Sequence, residues 1–492
     1  PTGLVGSEMC IRDRMEQTSE QFQQLASAAM AKQDARERRD LLGIFLPAAR
    51  DAAVAELGDF EALREHVSRI KDHTLDNLDH YLRQFEEQVV LNGGHVHWAR
   101  DSEELNSIVL DICRRAEARR VGKGKSMITE ETGLTAHLQR AGLEVTETDL
   151  REYIVQVAGE TPSHMVGPAF HKSEEEIRQL FLDTHPLGRR QLPDPPAMVQ
   201  EAREVLREHF LTADVGIIGS NALIAETGQT MLVTNEGNGD LVSTLPDVHI
   251  VCASIEKVLP RPEDSLAQLR LLVSSAIGTA VTAYTSFYSG PRRKDDIDGP
   301  GEYHVVLLDN RRTEILGGPY QDMLACMRCG ACLNHCPIYI GAGGHAYGWV
   351  YPGPMGSVLT PLLTSLEQSS ELPNACTSCG RCAEVCPASI PLPDLLRELR
   401  ADENRAHITP VRWRRGMKLH NWLTRWPRLY QVLTSAGINL LHRLGRKRGS
   451  FTSLWLANGW TQVRDFPAPE GKTFMSQWKA RQKAAPAESR DD

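Results

Sequence analysis

The sequence predicts a chain of several parts: a helical N-terminal arm, an α/β domain, a small cysteine-rich α-helical domain and a helical C-terminal domain. Three observations carry that reading. The 492 residues suffice for about three domains that each bury a core. The hydrophobic period switches repeatedly between that of a helix and that of a strand through the middle of the chain. Eight of the eleven cysteines crowd between Cys326 and Cys386. An apolar content of 41% with 24% charged residues is that of a globular protein. A formal net charge of −9 excludes a chain that coats nucleic acid, so no nucleic-acid partner is expected.

Residues 1–14 match no pattern in the rest of the chain and lack the basic start and unbroken apolar run of a secretory signal. Met15 opens a plausible bacterial start, so 1–14 are expected to be a non-native leader. Apolar residues then recur at helical spacing (Leu63, Val67, Ile70, Leu78, Leu82, Phe85, Val89), which predicts a helix that Asn92-Gly93-Gly94 stops. Residues 15–91 are therefore a helical arm. Residues 95–99 alternate like a strand, Ser102 is placed to cap a helix through Arg119, and Gly142 precedes a strand over 143–148. A capping box at Ser173 and Glu176, a helix over 197–210 and apolar strands at 215–218, 231–233, 250–253 and 305–308 continue the rhythm, so 92–310 form one α/β domain. The Pro/Gly-rich junctions at 192–196 and 299–301 read as edge loops. The charge-free stretch 271–291 is about as long as a membrane span, yet nine of its residues are Ser, Thr or Tyr. It reads as a buried helix and strand.

The cysteines form two runs: Cys326-x2-Cys329-x2-Cys332-x3-Cys336-Pro337 and Cys376-x2-Cys379-x2-Cys382-x3-Cys386-Pro387. Three thiolates on a tight loop can hold three irons of a cubane, while the fourth, followed by proline, turns away to the other cluster. The spacing thus predicts two [4Fe–4S] clusters, one on Cys326, Cys329, Cys332 and Cys386 and the other on Cys376, Cys379, Cys382 and Cys336. Gly330, Ala331, Gly380 and Ala383 are expected to leave room for the backbone beside the sulfides. Two structural zinc sites are the alternative, but zinc gives no reason for a third cysteine at this spacing or for the proline. With all eight ligands present both clusters are closed, which suits outer-sphere electron transfer. Cys10, Cys113 and Cys252 are scattered, so the cysteine pattern argues for metal ligation in a reducing compartment rather than for disulfides. Between the runs lie Gly341-Ala342-Gly343-Gly344-His345 and Tyr351-Pro352-Gly353-Pro354, suited to shield a cluster or receive a partner. His345 reads as a packing or hydrogen-bonding residue, because the ligand positions are already filled.

Over about residues 60–480 the chain resembles the lactate utilization protein B family. The carriers are Asn92-Gly93-Gly94-His95, Lys123-x-Lys125-Ser126-Met127, Ser163-His164, Glu226-Thr227-Gly228, Thr234-Asn235-Glu236-Gly237-Asn238, the double cysteine motif, Gly343-Gly344-His345 and Tyr351-Pro352-Gly353-Pro354. The resemblance implies that 92–310 are a LUD domain, similar in fold to sugar-phosphate isomerases and CoA transferases. The cysteine runs make 311–403 an α-helical double [4Fe–4S] ferredoxin-like domain, and the resemblance implies that 404–492 are a basic helical C-terminal domain. The implied function is electron transfer within a complex oxidising L-lactate to pyruvate, in the cytoplasm, with a second iron–sulfur subunit and a LUD-only subunit as partners. Two alternatives are a LUD-domain enzyme acting on small acids or CoA esters with fused clusters, and an adaptor like the cluster subunits of heterodisulfide reductases. The latter share the double motif but not the LUD residues.

Lys123, Lys125 and Ser126 sit on an expected strand-to-helix turn, where they either hold a carboxylate or phosphate or form a solvated basic turn. Glu226 and Thr227 with Asn235 and Glu236 are expected to line a pocket at the ends of adjacent strands. Glu226 invites comparison with the acyl-accepting glutamate of CoA transferases, but the surrounding pattern departs from theirs, so a binding or assembly pocket is expected rather than covalent catalysis. His164 reads as structural. No Gly-x-Gly-x-x-Gly follows a strand, so no nicotinamide or flavin dinucleotide site is evident. Finally, residues 404–464 hold twelve Lys or Arg and no Asp or Glu, interleaved with Trp413, Trp422, Trp426, Trp455 and Trp460. Such a stretch suits an acidic partner subunit or, as peripheral contact, anionic lipid on the inner face of the membrane. A helical cap with its aromatics packed inside is the plainer reading.

Overall fold

The computed structural model describes residues 17–188, 190–454, 461 and 464–484. The expected leader over 1–14, with Met15, and two of the tryptophans, Trp455 and Trp460, lie outside the described residues. One compact unit runs to Ala406 and a second begins at His407.

The arm comprises α1 (Phe22–Ala31), α2 (Gln33–Leu57), α3 (Phe60–Asp76) and α4 (Leu78–Leu91). The continuous helix expected over 63–89 is broken at Asn77. Its backbone leaves the helical region (φ −126°, ψ 32°) and its side-chain amide donates to the His73 carbonyl at 2.8 Å, capping the end of α3. After the break α4 presents Leu78, Leu82, Phe85 and Val89 as one stripe, buried in the same core as the neighbouring strands.

Ten strands make up the α/β part: β1 (His95–Ala99), β2 (Arg120–Lys123), β3 (Glu144–Glu147), β4 (Val215–Ile218), β5 (Ala222–Ile224), β6 (Gln229–Thr234), β7 (Val248–Ser254), β8 (Val258–Leu259), β9 (Tyr284–Tyr288) and β10 (Glu302–Leu308). Six of them form a parallel sheet in the order β1-β10-β7-β4-β2-β3. β7 is buried throughout and β10 nearly so, as expected of parallel strands covered on both faces. The other four pair as β8-β5-β6-β9. The capping box at Ser173 and Glu176 is present. At the first helix after β1, Asp101 is the cap in place of Ser102, accepting from the Glu104 amide at 2.9 Å. That helix ends at Arg115, a turn earlier than expected, because Glu117 takes a left-handed φ of 52°. The charge-free stretch supplies the buried end of a helix (Pro262–Ile277), but its strand, β9, is a partly exposed edge rather than a buried one. Among the described residues no helix is long and apolar enough to cross a membrane.

The cysteine-rich segment is built of short helices, Ala331–Asn334, Pro337–Ala342, Gly353–Leu363, Arg381–Glu384 and Leu392–Arg405. It shares one hydrophobic core with α1, α3 and the helix Pro262–Ile277. The second unit contains helices Val411–Thr424, Pro427–Gly445 and Phe474–Ala484 with a two-residue strand pair. Its three described tryptophans within 404–464 do not pack inside as the helical-cap reading requires: Trp413, Trp422 and Trp426 are each more than half exposed, and no residue of Val411–Thr424 is buried.

Candidate functional site

The two cysteine runs fold into the same local shape. In each, the residue two after the first cysteine takes a left-handed φ (Arg328 at 60°, Ser378 at 57°), a glycine follows at 81° or 83° (Gly330, Gly380), and a four-residue helix leads to the fourth cysteine. Gly380, like Gly330, takes a left-handed φ that residues with a Cβ rarely adopt. Cys326, Cys329, Cys332 and Cys386 line one cavity together with Met165, Met327, Met355 and Pro387. Cys336, Cys376, Cys379 and Cys382 form a second group, within electrostatic reach of one another. The loops thus interleave: three thiols of one run meet the fourth of the other.

Both groups offer sulfur donors and backbone amides, the chemistry a cubane takes. Amides of Ala331, Met355 and Ile338 point at Cys329, Cys332 and Cys336 respectively, and the Ser378 amide lies 3.3 Å from Cys376 Sγ. Burial pushes the Cys336 and Cys386 thiols up to about 11 and Cys382 up to about 12, so a bound metal must displace their protons. Among the described residues no three His, Cys, Asp or Glu are placed to hold a single metal ion. Cys113 and Cys252 stay as buried thiols in the sheet's core.

Charged residues that no spacing rule picks out surround the first group. Arg328, between Cys326 and Cys329, donates to the Cys326 carbonyl (3.3 Å), pairs with Glu256 (3.3 Å) and lies over the Tyr351 ring (5.1 Å). Glu256 also pairs with Arg312 (2.9 Å), which makes two bonds to Glu131 (2.8 and 3.0 Å), and Glu131 accepts from Tyr351 Oη at 2.6 Å. Burial opposes the ionisation of Glu256, but Arg312 and Arg328 outweigh it and hold the carboxyl down to about 2. Lys71, from α3, donates to the Glu256 carbonyl at 3.2 Å, and burial brings it down to about 8.

Arginines of the arm bind the cysteine loops through backbone oxygens. Arg64 donates to the carbonyls of Cys386 (2.8 Å) and Ala383 (3.0 Å), Arg50 to Val385 (3.2 Å), and Arg39 to Ile340 (3.0 Å) and Gly341 (2.9 Å). The only sequence signal for these was an arginine at helical spacing among apolar neighbours, which is equally that of a solvated face.

The α/β candidates are dispersed. Sheet order reverses between β2 and β4, and the turn after β2 carrying Lys123, Lys125 and Ser126 stands at that switch point, where α/β sheets bind ligands. Lys123 is nevertheless fully buried and bonded to Glu147 (2.7 Å) and Glu130 (3.0 Å), so it is neither a solvated basic turn nor a free anion binder. Lys125 donates to the Val166 carbonyl (3.0 Å), and Ser126 caps a helix of six residues (Met127–Thr132). Glu236 accepts from the Leu150 amide and faces Arg151, while Asn235 accepts from the Ala283 amide. Exposed Glu226 and neighbouring Thr227 lie in the turn before β6, whereas Asn235 and Glu236 follow its far end. Six residues of strand separate the pairs by about 20 Å, so they do not line one pocket. His164 is buried: its Nδ1 accepts from the Val166 and Gly167 amides, its Nε2 faces Asn334 at 2.9 Å, and burial brings it down to about 4. His345 donates to the Thr161 carbonyl at 2.7 Å.

Comparison with known proteins agrees with this geometry. Residues 82–308 match the LUD domain family and residues 322–390 the 4Fe-4S dicluster domain family. Lactate utilization protein B of Oceanobacillus iheyensis is 42% identical over 87% of this chain and 89% of its own length. That of Macrococcus caseolyticus is 43% identical over 85% and 88%. An electron transport protein of Escherichia coli K12, YkgF, is 40% identical over 88% and 91%. The dicluster match, with eight thiols in two groups, means two [4Fe–4S] clusters.

Proposed function

The chain belongs to the lactate utilization protein B family, and from that premise we propose that it is the electron-transfer subunit of an assembly that oxidises L-lactate to pyruvate. One cluster is held by Cys326, Cys329, Cys332 and Cys386, the inner site. The other is held by Cys376, Cys379, Cys382 and Cys336, the outer site. The observation that carries this reading is the interleaving of the two thiol groups.

When bound, each cluster supplies a place for one electron at a time. This chain's residues do the rest. Eight thiolates leave no ligand position open, so substrate does not reach iron. Buried Met327, Met355 and Tyr347 keep water from the thiols, while Cys379 is exposed, giving the outer site a short path to a partner. Lactate must lose two electrons, and no dinucleotide fingerprint provides a hydride acceptor, so the oxidation needs other subunits. A second iron–sulfur subunit and a LUD-only subunit are the proposed partners.

Anaerobic reconstitution should give about eight irons and eight sulfides per chain. The isolated chain should not turn over lactate with a dye until its partners are added. Zinc in place of iron, half that iron, or steady turnover by the chain alone overturns the reading. Cys386→Ala should cost the inner cluster, and loss confined to the cluster begun at Cys376 would mean that the runs are not crossed.

A further inference from the structure

The charges around the two thiol groups are unequal. Four cations stand close to the inner site, buried Arg50, Lys71 and Arg312 and the nearly covered side chain of Arg328, against two buried carboxylates, Glu131 and Glu256. Arg50 has Asp51 as its acidic partner, but that carboxylate is largely exposed and screened by water. The half-buried Lys257 adds a further cation at the rim, within electrostatic reach of Cys326. Two positive charges are thus left over, and a surplus out of water is costly unless an anion meets it. A cubane in its oxidised state, on four thiolates, carries about two negative charges and meets it. Among the described residues the outer site lacks such a surround: Arg400 reaches the Cys376 carbonyl at 3.3 Å, Arg381 is taken by Glu384, and Cys379 opens to solvent.

We propose that Arg50, Lys71 and Arg328 are potential-setting residues that make the inner cluster the electron-holding member of the pair. The inference rests on the ligand sets proposed above. Burial by itself makes a cluster harder to reduce, since the extra negative charge is denied water. Fixed cations in the same low-dielectric surround act on that charge almost unscreened, and here they outnumber the anions. One electron delivered at the outer site therefore moves inward; the outer cluster is oxidised as the inner one is reduced, and no bond or proton changes hands.

The test is a reductive titration of the reconstituted full chain followed by electron paramagnetic resonance. Cys379→Ala, altered at the exposed thiol, supplies the spectrum of the inner cluster alone. The first electron should appear in the inner signal. Lys71→Met should weaken the inner cluster's hold on it tenfold or more, about 59 mV for a one-electron couple, with the outer midpoint unmoved. Lys71→Arg should restore it. A first electron in the outer signal, or an inner midpoint that ignores Lys71→Met, overturns the proposal. Iron content measured on the same samples keeps this apart from the ligand assignment: fewer than two clusters in the unaltered chain would sink that assignment instead.

Discussion

Arg312 shows what a single side chain can hold together. Fully buried, it joins Glu131 and Glu256, which arrive from separate parts of the α/β domain. Removing one partner from such a pair leaves an uncompensated charge, so Arg312→Met should cost about 3–5 kcal/mol in denaturant unfolding. A cost under about 1 kcal/mol would mean that water already reaches the pair. Histidines give a pH signature. Burial brings His249 down to about 3 and His164 to about 4, below the usual value near 6.5. The unfolded chain therefore takes up these protons first; the stability is complete above about pH 6.5 and is lost as pH falls towards the folded values. His249→Gln should flatten the fall in unfolding free energy between about pH 6.5 and 4, and an unchanged slope would remove His249 from the account. The eight cysteines were legible because their chemistry is written in spacing. Arg328 was not, although it stands inside the first run, because its role comes from Glu256 and Tyr351, whose nearness is a product of folding.

Among the elements, the arm best separates what periodicity reveals from what it hides. The apolar stripe on either side of Asn77 was readable, but not the break, since the stripe resumes at helical spacing in α4. Nor could periodicity show that α2 and α3 bind cysteine loops some 300 positions on, as Arg64 does at Cys386. Arg64→Met frees the carbonyls of Cys386 and Ala383 and should speed loss of iron under air several-fold, with the far-ultraviolet spectrum unchanged. Absorbance near the cluster band, followed over time, measures it; a rate equal to that of the unaltered chain would show that the arm does not steady the loop. The expected pocket of the LUD domain is divided for a related reason. Neighbours in sequence, Glu226-Thr227 and Asn235-Glu236 sit at opposite ends of β6, and a strand's length is not visible in a motif.

At the scale of the whole molecule, the α/β class and the dicluster segment were both legible, whereas the order β1-β10-β7-β4-β2-β3 was not, because parallel pairing is settled by contacts distant in sequence. The second unit keeps its own surface character. Exposed Trp413, Trp422 and Trp426 among arginines suit an acidic partner subunit, which we expect to bind there in a salt-sensitive way. Raising salt from about 0.05 to 0.5 M should loosen the complex, as should Trp422→Ala with Trp426→Ala. Flotation with anionic vesicles, and no loss of subunit binding, would assign the surface to lipid. The crossing of the two cysteine runs also has a consequence in biosynthesis. On the proposed sets, the inner site lacks its last ligand until Cys386 has been translated, and the outer one until Cys382. A nascent chain paused before residue 376 carries half of the eight ligand thiols and no finished site, so iron delivery must wait until most of the polypeptide has left the ribosome.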